Sequence, residues 1–377
     1  MNFKYTEQQD MLRTMAREFL ATECPKSRTR ELEKDLRGYD PGTWKRMAEL
    51  GWQGLLLPAE YDGSGADFMD LAILMEEMGR NILPGPFYST VALAALPIMD
   101  YGGKDQQARY LPGIARGETV WTLALDEDPS DSDYARISTS ARVEDESHLL
   151  NGEKTLVPCA GAADYMLVAA RIRRGRLADK GLTLFIADMK KPGIEVEAIP
   201  TITGETLYQV RFKDVKLDGG DVLGAAGAGE DILERLLDKA ALLKCAEVCG
   251  ACQALLEMSV AYAGERKQFG KPIGTFQVIQ HRLVDMLIQV EGLQHLVYQA
   301  AWMMSAGVDC SEQIAMAKVK ANEVYQHAAL DGIRVHGAIG FSLDHDAGLY
   351  YRRVLASKFF PRDAGHYLEK VAAGIGL

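Results

Sequence analysis

The chain has 377 residues, 47% of them hydrophobic and 25% charged, and its 42 basic against 53 acidic side chains give a net charge of −11. This length allows two or three domains with a substantial core, and the composition is that of a globular protein. The acidic balance argues against nucleic acid as a partner, although a local basic patch for a phosphate group remains compatible with it. Residues 1–20 are charged and amphipathic rather than signal-like, and no stretch approaches the ~18 apolar residues of a membrane span. A cytoplasmic protein with no membrane association is the expectation.

Residues 1–115 read as helices. Thr6 stands before a run carrying Met11, Met15, Phe19 and Leu20, and a second run with Trp44 and Met47 closes at Gly51. Gly54–Pro58 enters a glycine-rich turn, Tyr61–Gly65, before the apolar run Leu71–Met78; after the break at Pro84-Gly85-Pro86, Val91–Ile98 reads as a buried helix. From about 118 to 225 the period changes. Short β-branched or aromatic runs such as Val120–Ala124, Tyr165–Ala170, Leu182–Ala187 and Tyr208–Phe212 alternate with Gly, Pro, Asp and Lys turns, which predicts an all-β insertion. Long helices are then expected over roughly 228–264, 276–306, 311–338 and 345–370, enough for a bundle.

Six cysteines show no disulfide framework. Cys245, Cys249 and Cys252 share one helical face, but no histidine or fourth cysteine completes a metal set, so they are expected in the core. The seven histidines form no ligand pair, and no metal is expected.

The most informative stretch runs from Arg266 through Lys267-Gln268-Phe269-Gly270-Lys271-Pro272 to Thr275-Phe276-Gln277. Gly270 and Pro272 are expected to end one helix, and Thr275 to cap the next. Such a break brings a guanidinium and free amides to one edge, as an anion site requires. The string resembles the Arg-x-x-Phe-Gly…Phe-Gln signature of acyl-CoA dehydrogenases. Gly54–Gly65 is similar to a turn of that family, and Arg334-Val335-His336-Gly337-Ala338-Ile339-Gly340-Phe341 resembles its glycine loop.

The resemblance covers essentially the whole chain. It implies an α+β fold with an N-terminal helical domain (1–117), a middle β-barrel or sandwich domain (118–225) and a C-terminal four-helix bundle (226–377). It further implies FAD as cofactor, an acyl-CoA substrate and an electron transfer flavoprotein as redox partner. Arg266, Gln268, Phe269 and Gln277, with Arg334, Gly337 and Gly340, would reach across a subunit interface to the neighbour's FAD.

Other positions depart from the family's pattern. Asp126–Asp133 replaces its flavin-holding Thr-Glu-Pro-Gly-Ala-Gly-Ser-Asp loop with acids that would repel a diphosphate. Lys154-Thr155-Leu156-Val157-Pro158 replaces a Lys-x-Trp-Ile-Thr strand and loses its indole and hydroxyl. The two places where the family keeps its catalytic base hold Ala240 and Pro361, and Asp238-Lys239-Ala240-Ala241 lacks the arginine that meets substrate. Glu234, Asp238, Glu247 and Asp363 are the nearby acids, Asp363 the best substitute, and no catalytic residue is assigned. The 337–353 segment resembles a subgroup with two unlike subunits, such as the small subunit of pimeloyl-CoA dehydrogenase. The expected function is therefore the non-catalytic subunit of an α2β2 acyl-CoA dehydrogenase. An active homotetramer with an unusual base and a flavin-free structural or CoA-binding protein stay open as alternatives.

Overall fold

The computed structural model describes residues 5–128, 134–145, 147–174, 177–358 and 360–377. Helices α1 (Glu7–Glu23), α2 (Lys26–Leu32), α3 (Pro41–Glu49) and α4 (Phe68–Asn81) come first. A π-helical stretch, Tyr88–Ala95, then runs into α5 (Leu96–Tyr101), and α6 (Lys104–Ala115) follows. The strands are β1 (Trp121–Ala124), β2 (Ser140–Glu144), β3 (Ser147–Pro158), β4 (Tyr165–Arg174), β5 (Leu177–Asp188), β6 (Ile194–Ile199), β7 (Leu207–Asp218) and β8 (Val222–Leu223). The chain ends with α7 (Gly229–Glu265), a short hairpin β9 (Lys267–Gln268) and β10 (Lys271–Pro272), α8 (Gln277–Ser305), α9 (Ser311–His336), α10 (Asp346–Ser357) and α11 (Ala364–Gly374).

Contacts divide the chain into two bodies. One gathers Glu31–Ala66 and Pro84–Lys239. Its sheet runs β6-β7-β3-β2-β4-β5-β8, with β1 also paired to β4. β1 and β2 lie parallel to successive halves of β4, from Trp121 opposite Tyr165 to Arg142 opposite Arg173, and the other neighbours are antiparallel. In β7 the residues Tyr208, Val210 and Phe212 point inward; after Asp214, at φ +50°, the inward set resumes with Val215 and Leu217. They join Leu150, Val168, Ala170 and Phe185 in one apolar cluster. Strict alternation with one irregularity keeps the buried face buried.

The other body gathers Met1–Arg30, Asp67–Leu83 and Ala240–Leu377. Here α1 packs on α4, α4 on α8, and α9 on α8, α10 and α11. α4 and α7 approach closely through two glycines: a Cβ at Gly79 would stand 1.9 Å from the Glu247 carbonyl oxygen, and one at Gly250 1.7 Å from that of Glu76. Two acids on α4 are buried beside this contact. Glu77 takes two hydrogen bonds from Arg17, at 2.6 and 2.9 Å, and Glu76 accepts from Tyr298 at 2.6 Å and Gln294 at 3.0 Å. Cys245, Cys249 and Cys252 are fully enclosed in α7, and burial pushes the Cys245 thiol up to about 12, so these thiols are packing groups.

Thr6 caps α1 as the sequence predicts, with Gln9 closing the reciprocal bond. Four expectations need correction. α7 stops at Glu265, and Gly270 belongs to a hairpin turn rather than a helix end. Phe276, not Thr275, is the N-cap of α8; the Thr275 hydroxyl donates instead to the Pro272 carbonyl at 2.7 Å. The expected 345–370 helix is two helices, since Pro361 lacks the amide hydrogen that a continuous helix needs there. The buried helix at 91–98 begins earlier and is wound as a π-helix through Ala95.

Candidate functional site

The site begins where α7 runs out. The Arg266 amide donates to the Tyr262 carbonyl at 2.8 Å, and the Arg266 carbonyl accepts from the Ile273 amide, also at 2.8 Å. Between these two bonds the chain makes a two-residue hairpin turn with Phe269 at φ +53° and Gly270 at φ +79°. Positive φ at both central residues is the turn that matches strand twist, and glycine suits its second position. A phenylalanine in the first is unusual.

Phe269 is 93% exposed, and its ring lies 6.0 Å from that of Phe276, edge to face. Lys271 sits over the Phe276 ring at 4.5 Å. Arg266, Gln268 and Gln277 are exposed, and among the described residues their side chains make no hydrogen bond or ion pair. The 266–277 stretch therefore exposes a guanidinium, two amides and an aromatic ring.

At the end of α9, Gly337 takes φ +67°, and no atom lies within 4 Å of where its Cβ would be. Gly340 is buried against His336 and Ile333, while Ile339 and Phe341 are half and mostly exposed. Arg334 is not free like Arg266. It donates to Asp331 at 3.0 Å, and the same carboxylate oxygen takes Arg282 of α8 at 2.6 Å. This Arg282–Asp331–Arg334 link ties α8 to α9 near the loop. Sequence reasoning missed it, because no spacing signals a pair on separate helices.

The acids near the base positions are otherwise engaged. Ala240 is fully buried in α7, and Pro361 is buried. Asp363 caps α11, accepting from the amides of Gly365 at 2.6 Å and His366 at 3.2 Å. Glu247 pairs with Lys244 at 2.7 Å.

In the strand body, Lys154 is fully buried and donates to the Leu125 carbonyl at 2.8 Å and to Glu127 at 2.9 Å. Glu127 also accepts from the Ser138 amide and hydroxyl, at 2.7 and 2.6 Å, and from the Thr139 amide at 2.8 Å. Burial alone would raise this carboxyl, but Lys154 and the Ser138 and Thr139 donors outweigh it and hold it down to about 2. The expectation that Glu127 would repel a diphosphate is thus corrected: its charge is turned inward and paired. Asp131 and Asp133 lie outside the described residues. Leu156 takes φ +53° in an irregular stretch of β3, and the Pro158 carbonyl accepts from Thr122 at 2.5 Å.

Family models describing the N-terminal, middle and C-terminal domains of acyl-CoA dehydrogenase match residues 6–118, 122–215 and 227–361. The chain belongs to the acyl-CoA dehydrogenase family. It is 30% identical over 353 residues, covering 92% of this chain and 93% of the relative, to the caffeyl-CoA reductase–Etf complex subunit CarC of Acetobacterium woodii. Among solved structures it is similar to butyryl-CoA dehydrogenase from Megasphaera elsdenii, at TM-score 0.92 and 26% identity over all of both chains. It is also similar to a chain of the ChsE4-ChsE5 complex from Mycobacterium tuberculosis, at TM-score 0.89 and 25% identity, covering 100% of this chain and 99% of that one.

Family members are FAD-dependent enzymes, and their three-region α+β architecture is the fold seen here. The residues fit FAD unevenly. The hairpin edge suits it, with an unengaged guanidinium and a glycine turn open to close approach. The β3 segment does not, since Leu156 has no stacking ring of indole size and Pro158 neither hydroxyl nor amide hydrogen. No helix among the described residues is long and apolar enough to cross a membrane.

Proposed function

We propose that this chain is the non-catalytic subunit of a two-subunit α2β2 acyl-CoA dehydrogenase, of the kind the small subunit of pimeloyl-CoA dehydrogenase represents. The observation that carries the reading is the chemistry at the two base positions. Both hold buried side chains that cannot take a proton, Ala240 and Pro361, and the best substitute, Asp363, spends its carboxylate on a helix cap. Removing the α-proton of an acyl thioester then falls to a carboxylate on the partner.

What this chain contributes is its edge. Arg266 would meet a diphosphate charge, and Gln268 and Gln277 would donate amide hydrogens. Phe269 would cover an aromatic face, and the turn at Gly337 and Gly340 would let backbone amides approach, with Arg334 beside them. FAD supplies a hydride acceptor when bound. The assembly would oxidise the Cα–Cβ bond of a bulky or dicarboxylic acyl-CoA and hand electrons to an electron transfer flavoprotein, a partner the name of the Acetobacterium relative also carries. The name of the Mycobacterium complex joins two proteins, which favours a hetero-oligomer over a homo-oligomer. The domain limits 1–117, 118–225 and 226–377 and a cytoplasmic location belong to the same reading.

The test is to purify the chain alone and with a motif-complete dehydrogenase subunit. Flavin absorbance and acyl-CoA oxidation with an artificial acceptor should require both. A yellow homomeric preparation whose turnover collapses in Asp363→Asn or Glu247→Gln would refute the reading in favour of an active homotetramer.

A further inference from the structure

The segment 337–344 leaves the end of α9 and returns at the head of α10, and a histidine flanks it on each side. The His336 and His345 rings lie 4.7 Å apart, centre to centre, at 56°. Tyr262 of α7 covers His336 at 4.5 Å. His336 Nδ1 stands 2.8 Å from the Gly332 carbonyl, so the proton belongs on Nδ1 and the lone pair on Nε2. That Nε2 is buried and has no hydrogen-bond partner among the described residues. His345 Nδ1 accepts from the Ala347 amide at 3.2 Å and caps α10, which leaves its proton on Nε2. One ring presents a bare nitrogen, the other an N–H.

Among the described residues, the groups facing this pair are few. α7 contributes the Tyr262 ring and the head of α10 contributes His345. Beside His345, the Asp346 carboxylate is engaged by Arg30 at 2.7 Å, and Arg30 also holds the Leu343 carbonyl at 2.9 Å. Burial lowers the pKa of His336 below its ordinary 6.5, and His345 adds to this. The looped segment carries Gly337 and Gly340, and it exposes Ile339, Phe341 and Leu343.

We propose that His336 and His345 form a clasp that positions the 337–344 loop, closed while His336 is uncharged and released when its enclosed Nε2 takes a proton. A charged His336 would need an acceptor for Nε2–H that its enclosure does not supply. Because the folded chain favours neutral His336, the clasp is secure above about pH 6.5 and weakens as pH falls below it. Its consequence for flavin rests on the loop role proposed above; the clasp itself does not.

The test is amide hydrogen exchange of 337–347 in the purified chain at pH 7.5 and 5.5, corrected for intrinsic rates. Protection should fall severalfold, up to about tenfold, at the lower pH in the wild type. His345→Asn keeps a capping side chain without an imidazole, and His336→Leu fills the same space without a charge. In His336→Leu the pH dependence should shrink below about twofold, while His345→Asn, which leaves His336 enclosed, should keep it at lower protection at both pH values. A wild-type loop indifferent to pH, or a His336→Leu variant that keeps the wild-type profile, would overturn the clasp. Flavin retention by the assembled complex is read in the same samples. Retention that ignores pH while exchange follows it would overturn the loop's place at the flavin and leave the clasp standing.

Discussion

Arg266→Ala separates a role in the fold from a role at the cofactor. The two backbone bonds that frame the hairpin, Arg266 amide to Tyr262 and Ile273 amide to Arg266, survive the change. The side chain is exposed and makes no ion pair or hydrogen bond among the described residues, so no cavity opens and no partner is stranded. Stability should stay within about 0.5 kcal/mol. A charged hydrogen bond to a diphosphate contributes roughly 1.5–3 kcal/mol, so the affinity of the two-subunit assembly for FAD should fall about 10- to 150-fold. The measurement is an FAD titration of the stripped assembly by flavin fluorescence, beside thermal denaturation of the chain alone. Unchanged affinity refutes the assignment. So does a melting temperature that drops in step with flavin, because Arg266 would then be holding the fold.

Three further outcomes follow from the geometry. Asp363→Ala should lower stability by about 0.5–2 kcal/mol in denaturant titrations while Asp363→Asn, which still caps, does not, and neither should change turnover of the assembly. Glu127 sits at about 2 in the fold against an ordinary 4.5, so its stabilisation is whole above about pH 4.5 and is lost as pH falls toward 2; Glu127→Gln should flatten that acid limb, measured as unfolding free energy from pH 5 to 3. Gly250→Ala would drive a methyl into the Glu76 carbonyl, and at least about 1–3 kcal/mol of stability should be lost, read as a lowered denaturation midpoint.

The sequence carried the switch from helical to strand period and back, because each region buries one face and repeats its apolar residues accordingly. β7 is the clearest case, with Tyr208, Val210 and Phe212 on one side. Phe269-Gly270 misled because glycine serves both a helix end and a hairpin turn, and only the pairing of Lys267 with Pro272 decides between them. Pro361 was the local sign that 345–370 could not be one helix. The exposed residues of the site lie in two contiguous strings, 266–277 and 334–341, so they were legible. The Glu127–Lys154 pair and the Asp331 bridge were not, since both are made by chain folding back and leave no periodic trace.

Phe269 has a consequence for how this chain would respond to selection in the laboratory. An L-residue at φ +53° costs on the order of 1–2 kcal/mol that glycine would not, and a ring 93% exposed returns nothing to the solitary fold. Covering a phenyl ring is worth roughly 1.5–3 kcal/mol, enough to offset that strain, but only when another surface arrives. A screen for thermal resistance of the lone chain would therefore drift toward glycine here, and under the interface role proposed for Phe269 the winners would be the worst at assembling. Heat tolerance and that proposed partnership would pull in opposite directions at one residue.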